Sequence, residues 1–187
     1  QGPTRRQAMI WMVLSFTFSG YIMGALMSLW VSNVEALGHS AAIAVSAGAL
    51  IGPAKTAGRF FELIFGRALH PLITSFISLG LMTLGFSILL GFGATFAGLM
   101  VFAVLYGMGD GIKTITMGTL PLALFGPEGF GARLGWTAFI RMSVNSSSPF
   151  LFAWITEAYG GWTSFSAMAL FILMGLGALF FVKRHSQ

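Results

Sequence analysis

Between Met9 and Val31 the chain carries no charged residue, and stretches of comparable greasiness recur along its whole length. A helix needs about 20 apolar residues to cross the hydrocarbon of a bilayer, whereas the core helices of a water-soluble domain are shorter and amphipathic. Only 8% of the residues are charged and mean hydropathy is +0.86, too little polar surface to cover a soluble globule. The sequence therefore predicts an all-α membrane protein.

Glycine, proline and charge clusters divide the chain into six predicted spans, at residues 8–31, 40–65, 72–90, 94–125, 134–158 and 162–182. The connections between them are short, and no soluble domain or linker remains. The basic residues fall on one side: Arg5 and Arg6 before span one, Arg59 and Arg67 at the second connection, Arg133 in the fourth, and Lys183 and Arg184 after span six. The opposite connections contain no Lys or Arg, so the positive-inside rule puts both ends of this segment in the cytoplasm of a plasma (inner) membrane. The +5 net charge is thus a topology signal, and no nucleic-acid partner is expected. Trp11, Trp30 and Trp162 near span ends suit interfacial belts, with plain packing as the alternative. The opening QGPTRR lacks a Met, which reads as a fragment or a processed piece, and Arg5 and Arg6 read as a charged flank rather than a signal peptide.

Residues 8–90 and 94–182 form two stretches of three spans each, and an odd number of spans per unit makes the units inverted relative to one another. The expected fold is a six-transmembrane-helix bundle built of two inverted three-helix repeats. Spans two and five each carry a proline, then a glutamate, then a glycine: Pro53, Glu62 and Gly66 against Pro149, Glu157 and Gly160. Interrupted helices at matching positions point to the working helices of a transporter. Gly20 and Gly24, Gly48 and Gly52, and Gly107 and Gly111 are small-xxx-small pairs that permit close helix approach.

Asp110 and Lys113 in span four and Arg141 in span five lie too deep to reach an interface. A charge at bilayer depth costs at least about 2.5 to 3.5 kcal/mol, so such residues turn towards protein or water. At helical spacing Tyr106, Asp110, Lys113 and Met117 form one stripe, with Leu105, Met108, Ile112 and Ile115 expected to face lipid. Thr137, Arg141, Asn145 and Ser148 share a face of span five, and Pro149 permits a kink beside them. Thr17, Tyr21, Gly24 and Ser28 make a softer polar stripe on span one. Two readings stay open. The stripes line a cavity in which Asp110 carries a proton coupled to a small-molecule substrate and Arg141 or Lys113 attracts an anionic group; or Asp110 merely neutralises Lys113 or Arg141 and holds spans four and five together.

In span count, in the placement of its basic residues and in the connection GRFFELIFGRALHP, the chain resembles the C-terminal half, helices seven to twelve, of a major facilitator superfamily transporter. Gly58 and Glu62 match the glycine and the acidic residue of the family's G-x-x-x-D-R-x-G-R loop; Leu63 stands at its arginine position, and Gly66 and Arg67 come one residue late. The resemblance implies a secondary active transporter working by alternating access, an N-terminal six-helix half as partner of this segment, a gating role for Gly58, Arg59, Glu62 and Arg67, and no cofactor. Lys55 shares a helix face with Arg59 and Glu62 and joins that gating network in this reading.

Other chemistries fit less well. Ser146, Ser147 and Ser148 would suit an intramembrane serine hydrolase, but His39, His70 and His185 fall in connections or the tail, away from them. With no cysteine, thiolate metal sites and cysteine nucleophiles are excluded, and YGMGDG follows no strand that would make it a nucleotide cradle. No enzyme activity is expected. A scaffold or pore subunit remains the alternative to a carrier, although a pore would more naturally show rings of repeated charge.

Overall fold

The computed structural model describes residues 3–186, with the side chains of residues 3–5, Arg67, 185 and 186 outside the description. Among the described residues the chain is all-helical, with eight α-helices: α1 (Pro3–Glu35), α2 (Ala41–Ala49), α3 (Ile51–Phe65), α4 (Pro71–Phe92), α5 (Phe96–Phe125), α6 (Phe130–Asn145), α7 (Ser148–Tyr159) and α8 (Gly161–Ser186). Four stretches, Arg6–Glu35, Pro71–Phe92, Phe96–Phe125 and Gly161–Arg184, are long and apolar enough to cross a membrane. They coincide with predicted spans one, three, four and six.

The two remaining predicted spans are each broken in two, and proline chemistry accounts for where. Pro53 has no N–H to donate to the carbonyl of Ala49, and its ring crowds that carbonyl; α2 ends at Ala49. Pro149 stands in the same relation to Asn145, where α6 ends. Pro121, by contrast, passes inside α5 without ending it. Elsewhere the ends follow ordinary capping: the Thr95 side chain accepts from the Gly98 N–H at 3.1 Å, and His70 Nδ1 accepts from the Leu72 N–H at 3.2 Å ahead of α4. Helices α5 and α7 stop at Gly126 and Gly160, whose φ of 72° and 84° a side chain would strain.

Packing builds two groups. Helix α5 is held between α3 and α4, and α1 lies against α8, α7 and α6, while α4 meets α8 across the middle. Exchanging α1 with α5, α2–α3 with α6–α7, and α4 with α8 maps most of these contacts onto one another. Connections that alternate along the sequence gather at the same end: a His39 ring nitrogen is 2.8 Å from the Gly93 carbonyl, and a Cβ at Gly161 would lie 2.7 Å from the Asn33 carbonyl. At the other end the N-terminal part of α1 meets the C-terminal part of α8, where Trp11 stacks on Phe181 at 4.5 Å, and Phe76 of α4 meets Phe180.

Glycine sets how closely α5 can approach its neighbours. A Cβ at Gly107 would lie 2.7 Å from the Ile51 carbonyl, one at Gly111 would strike the Lys55 carbonyl, and one at Gly58 would strike the Met108 carbonyl. Backbone meets backbone there, as the small-residue spacing of span four suggested. Gly24 fits against Pro149 and the Asn145 carbonyl, whereas Gly52 of the predicted pair on span two has no neighbour within 4 Å. Trp30 belongs to the core, not to an interfacial belt: it is buried, stacks on Phe102 at 5.5 Å, and donates from Nε1 to the Ala44 carbonyl at 2.7 Å. The indole lies over Gly48, where a side chain would displace it. The expected lipid face of span four is also corrected. Ile112 is buried and Leu105, Met108 and Ile115 are half-buried, because α5 is covered by α3 on one side and α4 on the other. Large apolar side chains face outward on every helix, most densely for their length on the short helices α3, α6 and α7, among them Phe60, Ile64, Trp136, Phe139 and Phe150.

Candidate functional site: a charged cavity between four helices

About halfway along α5 the Asp110 carboxylate is held by two lysines. Lys113, one turn further on, reaches Oδ1 at 2.7 Å, and Lys55 of α3 reaches Oδ2 at 2.6 Å. Lys113 is almost wholly buried and also donates to the Ser19 carbonyl of α1 at 3.1 Å, so one ammonium ties α5 to α1. The Lys55 side chain remains 25% exposed, which leaves it an open side. Bare carbonyls and carboxylates are acceptors only, and a buried ammonium needs several of them. The Asp110 and Ser19 oxygens supply that demand.

These charges form one wall of a cavity of about 480 Å³. Lys55, Asp110 and Lys113 are joined on its lining by Arg141 and Asn145 of α6, Gly20 and Gly24 of α1, Thr114 and Ser146, and Met23, Met117 and Met142. Gly20 leaves room for the arrangement: a Cβ there would lie 2.9 Å from Asn145 Nδ2 and 3.6 Å from Arg141 Cδ, so a side chain at this position would push the Asn145 amide aside. Among the described residues Arg141 makes no ion pair, and Asn145 Oδ1 is buried without a hydrogen-bond partner. Three cations and one carboxylate give the lining a formal surplus of two positive charges.

Of the residues singled out in the sequence, Asp110, Lys113, Arg141 and Asn145 thus come together. Three do not line the cavity. Tyr106 is a core residue, packed between Phe86 and Phe102 with its hydroxyl 3.5 Å from Met23 Sδ. Tyr21 pairs its hydroxyl with Ser147 Oγ at 2.9 Å, linking α1 to the break between α6 and α7. Ser148 is buried at the start of α7, its hydroxyl without a partner among the described residues. Thr17 is buried and Ser28 exposed, so the stripe on α1 contributes to the cavity only through glycine.

Of the two partners the sequence offers for Asp110, Lys113 pairs with it and Arg141 does not. The structure adds a cross-helix partner, Lys55 of α3, because the Gly107–Gly111 edge of α5 lets α3 approach to backbone contact. Lys55 shares its face of the continuous helix α3 with Arg59 and Glu62, and it is the one of the three that reaches the Asp110 carboxylate. Arg59 is exposed, Glu62 is buried against Gly66, and Gly58 lies in the contact with α5; the Arg67 side chain lies outside the described residues. The signal for Lys55 was its position two residues after Pro53, just past a helix break.

At the opposite side of the fold from the His39–Gly93 contact, Arg133 closes the end of α5. Its guanidinium donates to the Gly126 carbonyl at 2.8 Å and to those of Phe125 and Glu128, and lies 5.8 Å from the centre of the Phe125 ring. A topology-setting cation on sequence grounds is therefore also a helix C-cap. His39 and His70 are engaged at connections, with Gly93 and Leu72 respectively. No protein-family model matches the chain, and no curated protein matches it either.

Proposed function

We propose that this chain is one half of a secondary active transporter, a six-span bundle of two inverted three-helix repeats whose central cavity handles a small-molecule substrate by alternating access. The observation that carries the reading is the charged cavity itself: four ionisable side chains, two from the middle of α5 and one each from α3 and α6 near their breaks, converge on one chamber of about 480 Å³. Ionisable residues at membrane depth that face a cavity mark substrate and ion pathways. Discontinuous helices at corresponding positions of two repeats mark where such a site is built. The correspondence of packing under exchange of α1–α4 with α5–α8 supports the repeat, with α2–α3 and α6–α7 as its second and fifth spans.

In this reading Asp110 is the proton carrier. Ionised, it neutralises one lysine charge and staples α3 to α5 through Lys55; protonated, it releases Lys55 to the cavity and loosens that crossing. A proton bound at one residue thereby changes both the charge offered to substrate and the contact between two helices. The likeness to the second half of a major facilitator fits this arrangement, with a plasma (inner) membrane location, cytoplasmic ends and an N-terminal six-helix half completing the carrier.

A second reading is favoured by the same ion triad. Two lysines on one carboxylate also make a competent structural staple, and a non-transporting bundle would need no more. Transport decides between them. Proteoliposomes containing the complete transporter should show saturable, pH-dependent substrate movement, and Asp110→Asn should abolish the pH dependence while the protein still folds. Unaltered pH-dependent transport in Asp110→Asn would remove Asp110 from the mechanism, and ohmic current in place of saturable flux would make the bundle a pore.

A further inference from the structure

The cavity's cations outnumber what its one carboxylate can neutralise. Lys113 spends its donors on Asp110 and Ser19, and Lys55 offers one side to Asp110, but Arg141, whose stem runs beside Gly20, has no anionic partner among the described residues. A guanidinium beside a cavity presents a planar fork of donors that fits a carboxylate or a phosphate with two parallel bonds. Its neighbour Asn145 adds a side-chain amide on the same wall. The rest of the lining is mixed: Thr114 and Ser146 bond their hydroxyls to the Asp110 and Ser143 carbonyls of their own helices, and Met23, Met117 and Met142 supply flexible, polarisable side chains that mould to an apolar body of no fixed shape.

We infer that the cavity is a binding site for a compact organic dianion, its carboxylate or phosphate head on Arg141 within reach of Lys55, and its apolar body on the three methionines. The site is the chamber of the proposed carrier, so the assignment rests on that reading for what happens after binding. The formal surplus of two positive charges on the lining sets the preferred ligand charge, and a cation entering the same space would be repelled. A volume of about 480 Å³ lies within the range of small-molecule sites, which is roughly 300 to 1,000 Å³. Lys113, deeper and already bonded, contributes potential more than contact.

Isothermal titration of the protein in phosphatidylcholine nanodiscs tests this, with isophthalate and phenyl phosphate as dianions, and isophthalamide and m-xylylenediamine as neutral and dicationic controls of the same shape. The dianions should bind saturably and the controls should not. Arg141→Gln should weaken dianion binding by about ten- to hundredfold, as expected for losing a charged hydrogen-bond pair, and Arg141→Lys should restore part of it. Asp110→Asn, which adds one net positive charge without touching Arg141, should tighten binding several-fold and keeps the test open where an Arg141 variant fails to fold. Saturable binding of neither dianion, equal binding of isophthalamide, or affinity unchanged in Arg141→Gln overturns the assignment. Dianion binding without flux in proteoliposomes would leave the anion site standing and remove the carrier; flux of m-xylylenediamine without dianion binding would do the reverse.

Discussion

Replacing Gly111 with alanine should open the crossing of α3 and α5 and loosen the ion pair it supports. The added methyl would point at the Lys55 carbonyl, with the Lys55 carbonyl carbon at 3.0 Å and the Arg59 nitrogen at 3.2 Å. Backbone cannot rotate away as a side-chain tip can. Helix α3 must therefore move by on the order of 1 Å to restore a normal carbon–oxygen contact. Overpacking of this kind costs about 1 to 3 kcal/mol, set against about 1 kcal/mol gained from alanine's better helix propensity. With backbone on the receiving side the upper part of that range applies, and the net loss should be roughly 1 to 2 kcal/mol. Gly118, two turns along the same helix, has nothing within 4 Å, so Gly118→Ala should keep the propensity gain and stabilise by up to about 1 kcal/mol. The two variants share chemistry, helix and host, and differ only in what the methyl meets. Equilibrium unfolding in mixed micelles, followed by tryptophan fluorescence, reads the difference directly. Because the displaced carbonyl belongs to Lys55, Gly111→Ala should also weaken the coupling between Lys55 and Asp110 measured in a double-mutant cycle. Equal stabilisation by the two alanines would refute the close approach of α3 and α5, and with it the positioning of Lys55.

Three further outcomes follow from the same contacts. Asp110→Asn should destabilise more than Lys55→Met, since the first leaves two lysines facing Arg141 without a counter-charge while the second leaves Asp110 still paired with Lys113; the double variant should recover about 1 to 3 kcal/mol of the sum, and additive losses in the unfolding cycle would count against the ion triad. Trp30→Phe removes the bond to the Ala44 carbonyl but keeps the stack on Phe102, and should cost about 1 to 2 kcal/mol by the same unfolding measurement, because a buried carbonyl loses its donor; no loss would return Trp30 to the periphery. Arg133→Gln should fray the end of α5, seen as faster amide hydrogen exchange at residues 122–128 with α4 unaffected, and unchanged exchange would limit Arg133 to a topology signal.

How much was legible beforehand differs from element to element. The apolar runs that became α1, α4, α5 and α8 were readable because length and charge exclusion are local properties of sequence. The breaks after Ala49 and Asn145 were foreshadowed by Pro53 and Pro149, since the missing N–H acts on a carbonyl four residues back whatever the surroundings. The convergence of Asp110, Lys113, Arg141 and Asn145 was readable too, because a charge at membrane depth has few places to point. The cross-helix partner of Asp110 was not, nor was the burial of Ile112, Tyr106 and Trp30. Helical periodicity assigns residues to a face but does not say which helix covers it, and α5 is covered on two.

The sequence by itself settled that the chain is helical, roughly where its long apolar helices lie, and that ionisable groups fall within them, because hydrophobicity, proline geometry and the insertion penalty of charge all act within one segment; that only four of its six predicted spans are unbroken came from the structure. Tertiary structure decided which charges meet. That choice depends on glycines of α1 and α5 allowing α6 and α3 to approach at particular levels, a contact between segments distant in sequence, and it alone joins Lys55 to Asp110 and leaves Arg141 facing the cavity without a counter-ion among the described residues.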